Sequence, residues 1–297
     1  MSAHGLTRRA VIGGQPRRDR VRGRLFQLAM LFSLGVGIVS LGVLLVQVFV
    51  EGSPRLNLDL LSRFPSGNPD LAGAQSAILG TIWLISIVAL TTIPVGVGAA
   101  IYLEEYANKE RWYNRLIEVN LQNLAAVPSI VYGILGLAFL VRGFADLGQV
   151  VLAGGLTLSL LVLPIVVISS REAIRAVPDS IRQGSLALGA TQWQTIRRQI
   201  LPAAIPGIAT GSILALSRAI GEAAPLVLLG ALTFITFNPE GLDSAFTALP
   251  IQIFNWISRP QEEFKVLAAA AIVVLLVILL AMNATAIYLR NRYQRKW

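Results

Sequence analysis

The sequence predicts an all-α membrane protein with six transmembrane helices. Three observations carry this. Of 297 residues, 55% are apolar and only 14% charged; the mean hydropathy is +0.66; and the apolar residues gather into runs of about 20 or more, the length a helix needs to cross roughly 30 Å of hydrocarbon. A soluble core cannot absorb that much apolar surface.

The six runs lie at about 25–50, 74–103, 121–141, 148–170, 207–236 and 265–289. The first carries no charge and follows an arginine-rich arm at 1–24, whose Gly, Arg and Pro content predicts disorder and whose charge suits anionic lipid headgroups. It is too long for a secretory signal and no small-residue cleavage site follows, so it reads as an uncleaved anchor. A 51–73 extracytoplasmic loop then leads into a transmembrane core at 74–289 and a tail at 290–297. Pro94, Pro128, Pro164 and Pro225 lie within spans. They predict kinks whose freed carbonyls are satisfied by neighbouring helices or a wet cavity, which suits a transporter better than a rigid anchor.

The net charge of +9 is a topology signal. Of 25 Lys and Arg residues, 19 fall in the N-terminal arm, the 104–120 loop, the 171–206 loop and the tail. The positive-inside rule places these in the cytoplasm, together with both termini. Arg55, Arg63, Arg142, Arg259 and Lys265 are left outside, and Arg218 falls within a span. No nucleic-acid partner is needed to explain the charge.

Absences exclude several chemistries. There is no cysteine, so no disulfide, thiolate metal site or cysteine nucleophile. The single histidine, His4, rules out a zinc constellation or a Ser/His/Asp triad. None of Lys109, Lys265 and Lys296 follows a glycine, so no phosphate-cradling loop of an ATPase is present. No catalytic residue, metal or cofactor is legible, and the chain does not hydrolyse ATP by itself.

The 171–206 loop is neither apolar enough to span nor polar enough to be a linker. It reads as two short amphipathic helices. Pro178 and Asp179 suit the start of the first, Gly189 its left-handed end, and Thr191 with Gln194 a capping box for the second, in which Trp193, Ile196 and Ile200 share a face. Pro202 and Pro206 close the element. Such a hairpin either lies on the bundle or at the headgroup boundary, or docks into a groove on a partner protein. From Gly189, nine residues lead to Gln199-Ile200-Leu201-Pro202, which resembles the cytoplasmic signature E-A-A-x3-G-x9-I-x-L-P of ABC importer permeases. Gly189, Leu201 and Pro202 match, whereas Gln183-Gly184-Ser185 stand at E-A-A and Gln199 at the isoleucine. The resemblance implies that this loop inserts into a cleft on a dimeric ATP-binding subunit, with Gln183, Gly189, Trp193, Leu201 and Pro202 as coupling residues.

Within the fifth span, Arg218 and Glu222 are four residues apart. If the helix enters the membrane near Gly207, Arg218 lies roughly 16 Å deep, where it must face protein or water. One reading is an ion pair that fixes packing, beside the small-residue face of Gly207, Gly211 and Gly221. The other is an anion path, in which the guanidinium fork holds an oxyanion and the carboxylate selects one that still carries a proton. Arg171 and Arg175, at the end of the fourth span, either anchor the helix or draw an anion toward the exit. Phe246, Phe254 and Trp256, in the 237–264 loop, suit either a docking surface or interfacial anchoring.

The segment Arg218-Ala219-Ile220-Gly221-Glu222-Ala223-Ala224-Pro225-Leu226 resembles the fifth-helix signature of PstA-type permeases, from the phosphate-specific ABC importer family. Pro128-Ser129-Ile130-Val131-Tyr132-Gly133, Leu249-Pro250-Ile251-Gln252-Ile253-Phe254-Asn255-Trp256 and Tyr288-Leu289-Arg290-Asn291-Arg292-Tyr293 extend the likeness from about residue 71 to the end. The resemblance implies a type I ABC importer permease bundle with a cytoplasmic coupling-helix hairpin, in a bacterial inner membrane. It also implies a second homologous permease, the ATP-binding dimer and an extracytoplasmic phosphate-binding protein, with Arg218, Glu222 and Arg175 in the substrate path. A permease for sulfate or molybdate and a non-transporting membrane scaffold or sensor are the alternatives.

Overall fold

The computed structural model describes residues 17–108, 111–231 and 234–293. Among them, five helices are long and apolar enough to cross a membrane, and six if one sharply bent pair counts as a single span. The chain divides into two compact units, residues 1–50 and 51–297. Among the described residues the first is helix α1 (Arg17–Gly52) as far as Val50; it starts with a run of arginines and is apolar on all sides only from Leu25 onward, as a lipid-facing helix requires. Helix α1 begins inside the stretch expected to be disordered; residues 1–16, including His4, lie outside the described residues.

In the second unit, a short helix α2 (Leu58–Ser62), capped by the Asn57 side chain, precedes the long α3 (Gln75–Ile101). A π-helical turn, Tyr102–Tyr106, extends α3. The third expected span is broken. Helices α4 (Trp112–Ala125) and α5 (Ser129–Leu135, continued to Val141 by a π-helical turn) meet at 106°. Pro128 explains the break, because it lacks a backbone N–H and forces the preceding residue out of helical geometry. The Tyr132 hydroxyl donates to the Leu124 carbonyl at 2.8 Å and pins the corner.

Helix α6 (Val151–Arg175) is the centre of the unit, packing against α3 and α9 with most of its apolar length buried. Little of this comes from the hydrophobic effect, since lipid is as apolar as leucine; close backbone approach and dispersion do the work. A Cβ on Gly207 would meet Ala173 at 2.6 Å, so α9 lies directly on α6. Gly211 packs there likewise, against Ser169, whereas Gly221 has open space around it.

After α6 comes the hairpin: α7 (Asp179–Ala187), Gly189 and α8 (Gln192–Thr195). Helix α8 runs on through a π-helical turn, Ile196–Ile200, into α9 (Leu201–Gly221) without a break. Pro202 and Pro206 therefore do not close the element. The π-turn spans Arg198, whose carbonyl the Pro202 ring would otherwise strike, and the helix passes through both prolines. The continuous helix that carries the fifth span accordingly runs over 192–221 rather than 207–236. Helix α10 (Ala224–Leu229) follows and ends at Gly230 with φ +89°. Helix α11 (Leu249–Ile257) and the long α12 (Glu262–Tyr293) complete the chain. Phe246 and Trp256 are wholly buried and only Phe254 of the three loop aromatics is exposed, so the first two are core residues rather than docking or interfacial groups.

Candidate functional site

Two of the sequence motifs meet at the far end of α9 from the hairpin. Helix α10 packs on α5, and Gly133 makes this contact possible: a Cβ there would meet the Pro225 Cα at 2.7 Å. The Glu-Ala-Ala-Pro and Pro-Ser-Ile-Val-Tyr-Gly segments thus touch. Arg218 stands in the last turn of α9, and Glu222, the residue after its end, has an extended backbone. The predicted pair forms, Arg218 Nε to Glu222 Oε1 at 3.3 Å. The Arg218 side chain is 41% exposed and that of Glu222 19%, so the pair lies outside this chain's own core. Arg218 uses one of five N–H donors on Glu222, and no hydrogen-bond partner for the other four occurs among the described residues. Tyr132 lies within electrostatic range of its charge.

The cations of the hairpin end are arranged in the opposite way. Arg175 makes a two-pronged bond to Glu104, Nε to Oε1 and Nη2 to Oε2, each at 3.1 Å, and also reaches Glu172 at 3.3 Å. Arg171, buried, sits 3.1 Å from Glu118 and 3.6 Å from Glu104. Both arginines are thus held by carboxylates, and Arg175 is brought together with Glu104 and not with Arg218.

Arg182 engages every donor it has. Nε and Nη2 reach Glu105 Oε1 at 3.1 and 2.9 Å, Nη1 the Val177 carbonyl and Asp179 at 2.7 and 2.9 Å, and Nη2 also the Ile174 carbonyl at 2.8 Å. Gln192 Nε2 donates to the Glu105 carbonyl at 2.6 Å. The Arg182 guanidinium therefore ties the end of α3 and the end of α6 to the first arm of the hairpin, and Gln192 ties the second arm to the same Glu105. Glu104, Glu105 and Arg182 were not singled out by sequence. Their signal was two adjacent carboxylates at the end of an apolar span, opposite a loop with excess arginine.

The hairpin has two faces. Ile196 and Ile200 are buried with Ala100, Ile174 and Ala204, so the inner face packs on the bundle. The outer face exposes Leu186, Leu188 and Trp193, with Leu188 91% exposed. Trp193 thus parts from Ile196 and Ile200, with which it was expected to share a face. Gly189 has φ +82° and open space around it, and the Thr191–Gln194 capping box is present in both directions. Gln183 is exposed on α7; Leu201 and Pro202 lie inside the continuous helix. A cleft of about 420 Å³ opens between the arms, lined by Gly184, Leu188, Gln194 and Gln199 among others.

Nothing in this arrangement is set up to make or break a covalent bond: one end holds a cation with donors to spare, the other a braced hairpin with apolar side chains facing outward. These are the parts of a polytopic transport permease. The chain belongs to the family described as the binding-protein-dependent transport system inner membrane component, which it matches over residues 92–294. It is 31% identical over 250 residues to the probable ABC transporter permease protein YqgI of Bacillus subtilis, covering 84% of this chain and 81% of that one. It is 30% identical over 266 residues to the phosphate transport system permease protein PstA of Haemophilus influenzae, covering 89% and 91%. Among solved structures it is similar to a chain of a bacterial alginate ABC transporter, with TM-score 0.68 and 17% identity over 94% of this chain and 98% of that one. A chain of the MetNI methionine ABC transporter gives TM-score 0.61 and 15% identity over 74% and 95%. At these identities the likeness is one of fold, that of a type I ABC importer permease.

Proposed function

We propose that the chain is a membrane-spanning permease subunit of an ATP-driven importer of inorganic phosphate, with Arg218 in the substrate path. The observation that carries this is the unequal use of the arginines. Arg171, Arg175 and Arg182 are held by carboxylates, whereas Arg218 keeps four donors and substantial exposure despite its neighbouring Glu222. A guanidinium in that state suits a phosphate oxyanion, and Glu222 accepts the proton that hydrogen phosphate retains and sulfate lacks. The several relatives that are phosphate transport permeases support the same substrate.

A second permease completes the path, since one Arg beside one Glu gives no net positive potential. A dimeric ATP-binding subunit receives the hairpin through its outer face, including Trp193, and an extracytoplasmic binding protein delivers phosphate. Both termini and the hairpin lie in the cytoplasm of a bacterial cell, and the basic N-terminal arm meets anionic lipid. Arg175 acts as a brace through Glu104 instead of as a path residue.

Radiolabelled phosphate uptake by cells carrying Arg218→Gln tests this reading. Uptake falls at least 10-fold with the membrane level and ATP-binding partner retained. Normal uptake removes Arg218 from the path, and loss of assembly makes the pair a packing element. Wild-type uptake blocked by equimolar sulfate but not by arsenate transfers the reading to sulfate.

A further inference from the structure

Helices α9 and α12 pack antiparallel, and two polar rungs cross their seam. Ser217 Oγ lies 2.9 Å from Asn283 Oδ1. Seven residues away on each helix, Arg290 Nη1 donates to Thr210 Oγ1 at 2.9 Å. The rungs are about 10 Å apart along the axis, and the first adjoins Arg218. Sequence singled out the tail motif around Arg290 only as a likeness, and neither the ion-pair network nor the hairpin uses it.

Each rung has donors left over. The Ser217 hydroxyl already reaches the Ile213 carbonyl at 2.8 Å, and one proton cannot serve two acceptors, so the Asn283 amide also fits turned to donate. In either orientation Asn283 keeps at least one N–H without a partner among the described residues. Arg290 uses three of its five donors, on Thr210 and Asn291, and has no carboxylate within ion-pair distance among the described residues. It lines a cavity of about 350 Å³ whose other walls are apolar, Ile208 and Ile213 among them, except for Ser212, whose buried Oγ lacks any hydrogen-bond partner among the described residues.

We propose that an oxyanion leaving Arg218 follows the α9–α12 seam, with Asn283 as an intermediate donor and Arg290 as the cation at the exit. This rests on the reading of the chain as a phosphate permease. Arg171 and Arg175 cannot serve there, because Glu104 and Glu118 already neutralise them. Arg218, held by Glu222 through one donor only, and Arg290 of α12, whose rung meets α9 at Thr210 about 12 Å along the axis from Arg218, with a neutral amide between, bind an anion in steps weak enough to release it, as conduction requires. The shared chemistry is a phosphate oxyanion, which a phospholipid headgroup also offers.

The test is radiolabelled phosphate uptake into proteoliposomes holding the whole transporter with its binding protein. Arg290→Gln lowers maximal uptake at least 10-fold, with the half-saturating phosphate concentration and binding-protein-stimulated ATP hydrolysis unchanged. Arg290→Lys recovers most of the loss and Asn283→Ala costs about 3-fold. Thr210→Val removes the rung but not the charge and keeps more than half of the uptake; equal damage from Thr210→Val and Arg290→Gln makes the seam structural and overturns the proposal. So does wild-type uptake by Arg290→Gln. Vesicles of neutral phosphatidylcholine, compared with vesicles containing phosphatidylglycerol, separate the two sources. If the Arg290→Gln defect vanishes in neutral lipid because the wild type falls to the same level, the headgroup occupies Arg290 and the path is wrong. If the wild type carries sulfate and not phosphate, the substrate reading fails, and the Arg290 variants are scored on sulfate by the same criteria.

Discussion

A guanidinium in or near a membrane is defined by what it leaves unused. Arg182 has no donor left and Arg218 has four, although in the sequence each stands three or four residues from an acid, Asp179 and Glu222. Gly189 is a residue-scale case of another kind: its φ of +82° costs an ordinary side chain about 1–2 kcal/mol, while the space around it is empty. Gly189→Val therefore shifts the hairpin turn and lowers phosphate moved per ATP hydrolysed, whereas Gly189→Asn, which tolerates that conformation, stays near wild type. Parallel measurements of uptake and ATP hydrolysis check this, and equal behaviour of the two variants counts against a role for the turn.

At the scale of elements, the hairpin is held on the bundle by two kinds of contact. Ile196 and Ile200 supply apolar packing, and the bond from Arg182 to the nearly buried Glu105 supplies direction. Arg182→Met strands the Glu105 carboxylate and costs about 3 kcal/mol or more, because an uncompensated buried charge remains. The expected outcome is a lower unfolding temperature of the purified transporter and a falling uptake-to-ATPase ratio; the double variant Arg182→Met with Glu105→Gln recovers part of the stability. At the opposite end, Gly133→Val drives a side chain into the Pro225 backbone and separates α5 from α10. An overpacking cost of about 1–3 kcal/mol follows, read as reduced uptake with the ATPase subunit still bound. These contacts explain why two motifs far apart in sequence belong together.

For the whole molecule, the arginine distribution predicts an orientation, and the absence of cysteine makes that orientation easy to measure. Leu188→Cys, on the exposed tip of the hairpin, reacts with a membrane-impermeant maleimide only after the cells are opened. Asn68→Cys, in the 51–73 loop, reacts in intact cells. The reverse pattern inverts the topology and removes the hairpin from any cytoplasmic ATPase.

Composition and run length by themselves determined a polytopic helical membrane protein, because the bilayer imposes one length and one polarity on every span. Local chemistry likewise determined the capping box at Thr191 and the turn at Gly189, each set by residues within one turn of chain. Only the tertiary structure decided that α4 and α5 form a sharp corner, that the helix carrying the fifth span begins at Gln192, that Phe246 and Trp256 are core, and which arginines are neutralised. Each of these depends on a partner distant in sequence or on how a helix takes in a proline: Glu104 and Glu105 come from the end of α3, about 70 to 80 residues before the arginines they bind. A charge carries its sign in the sequence, but whether it braces a fold or remains free for an anion is set by what folding places beside it.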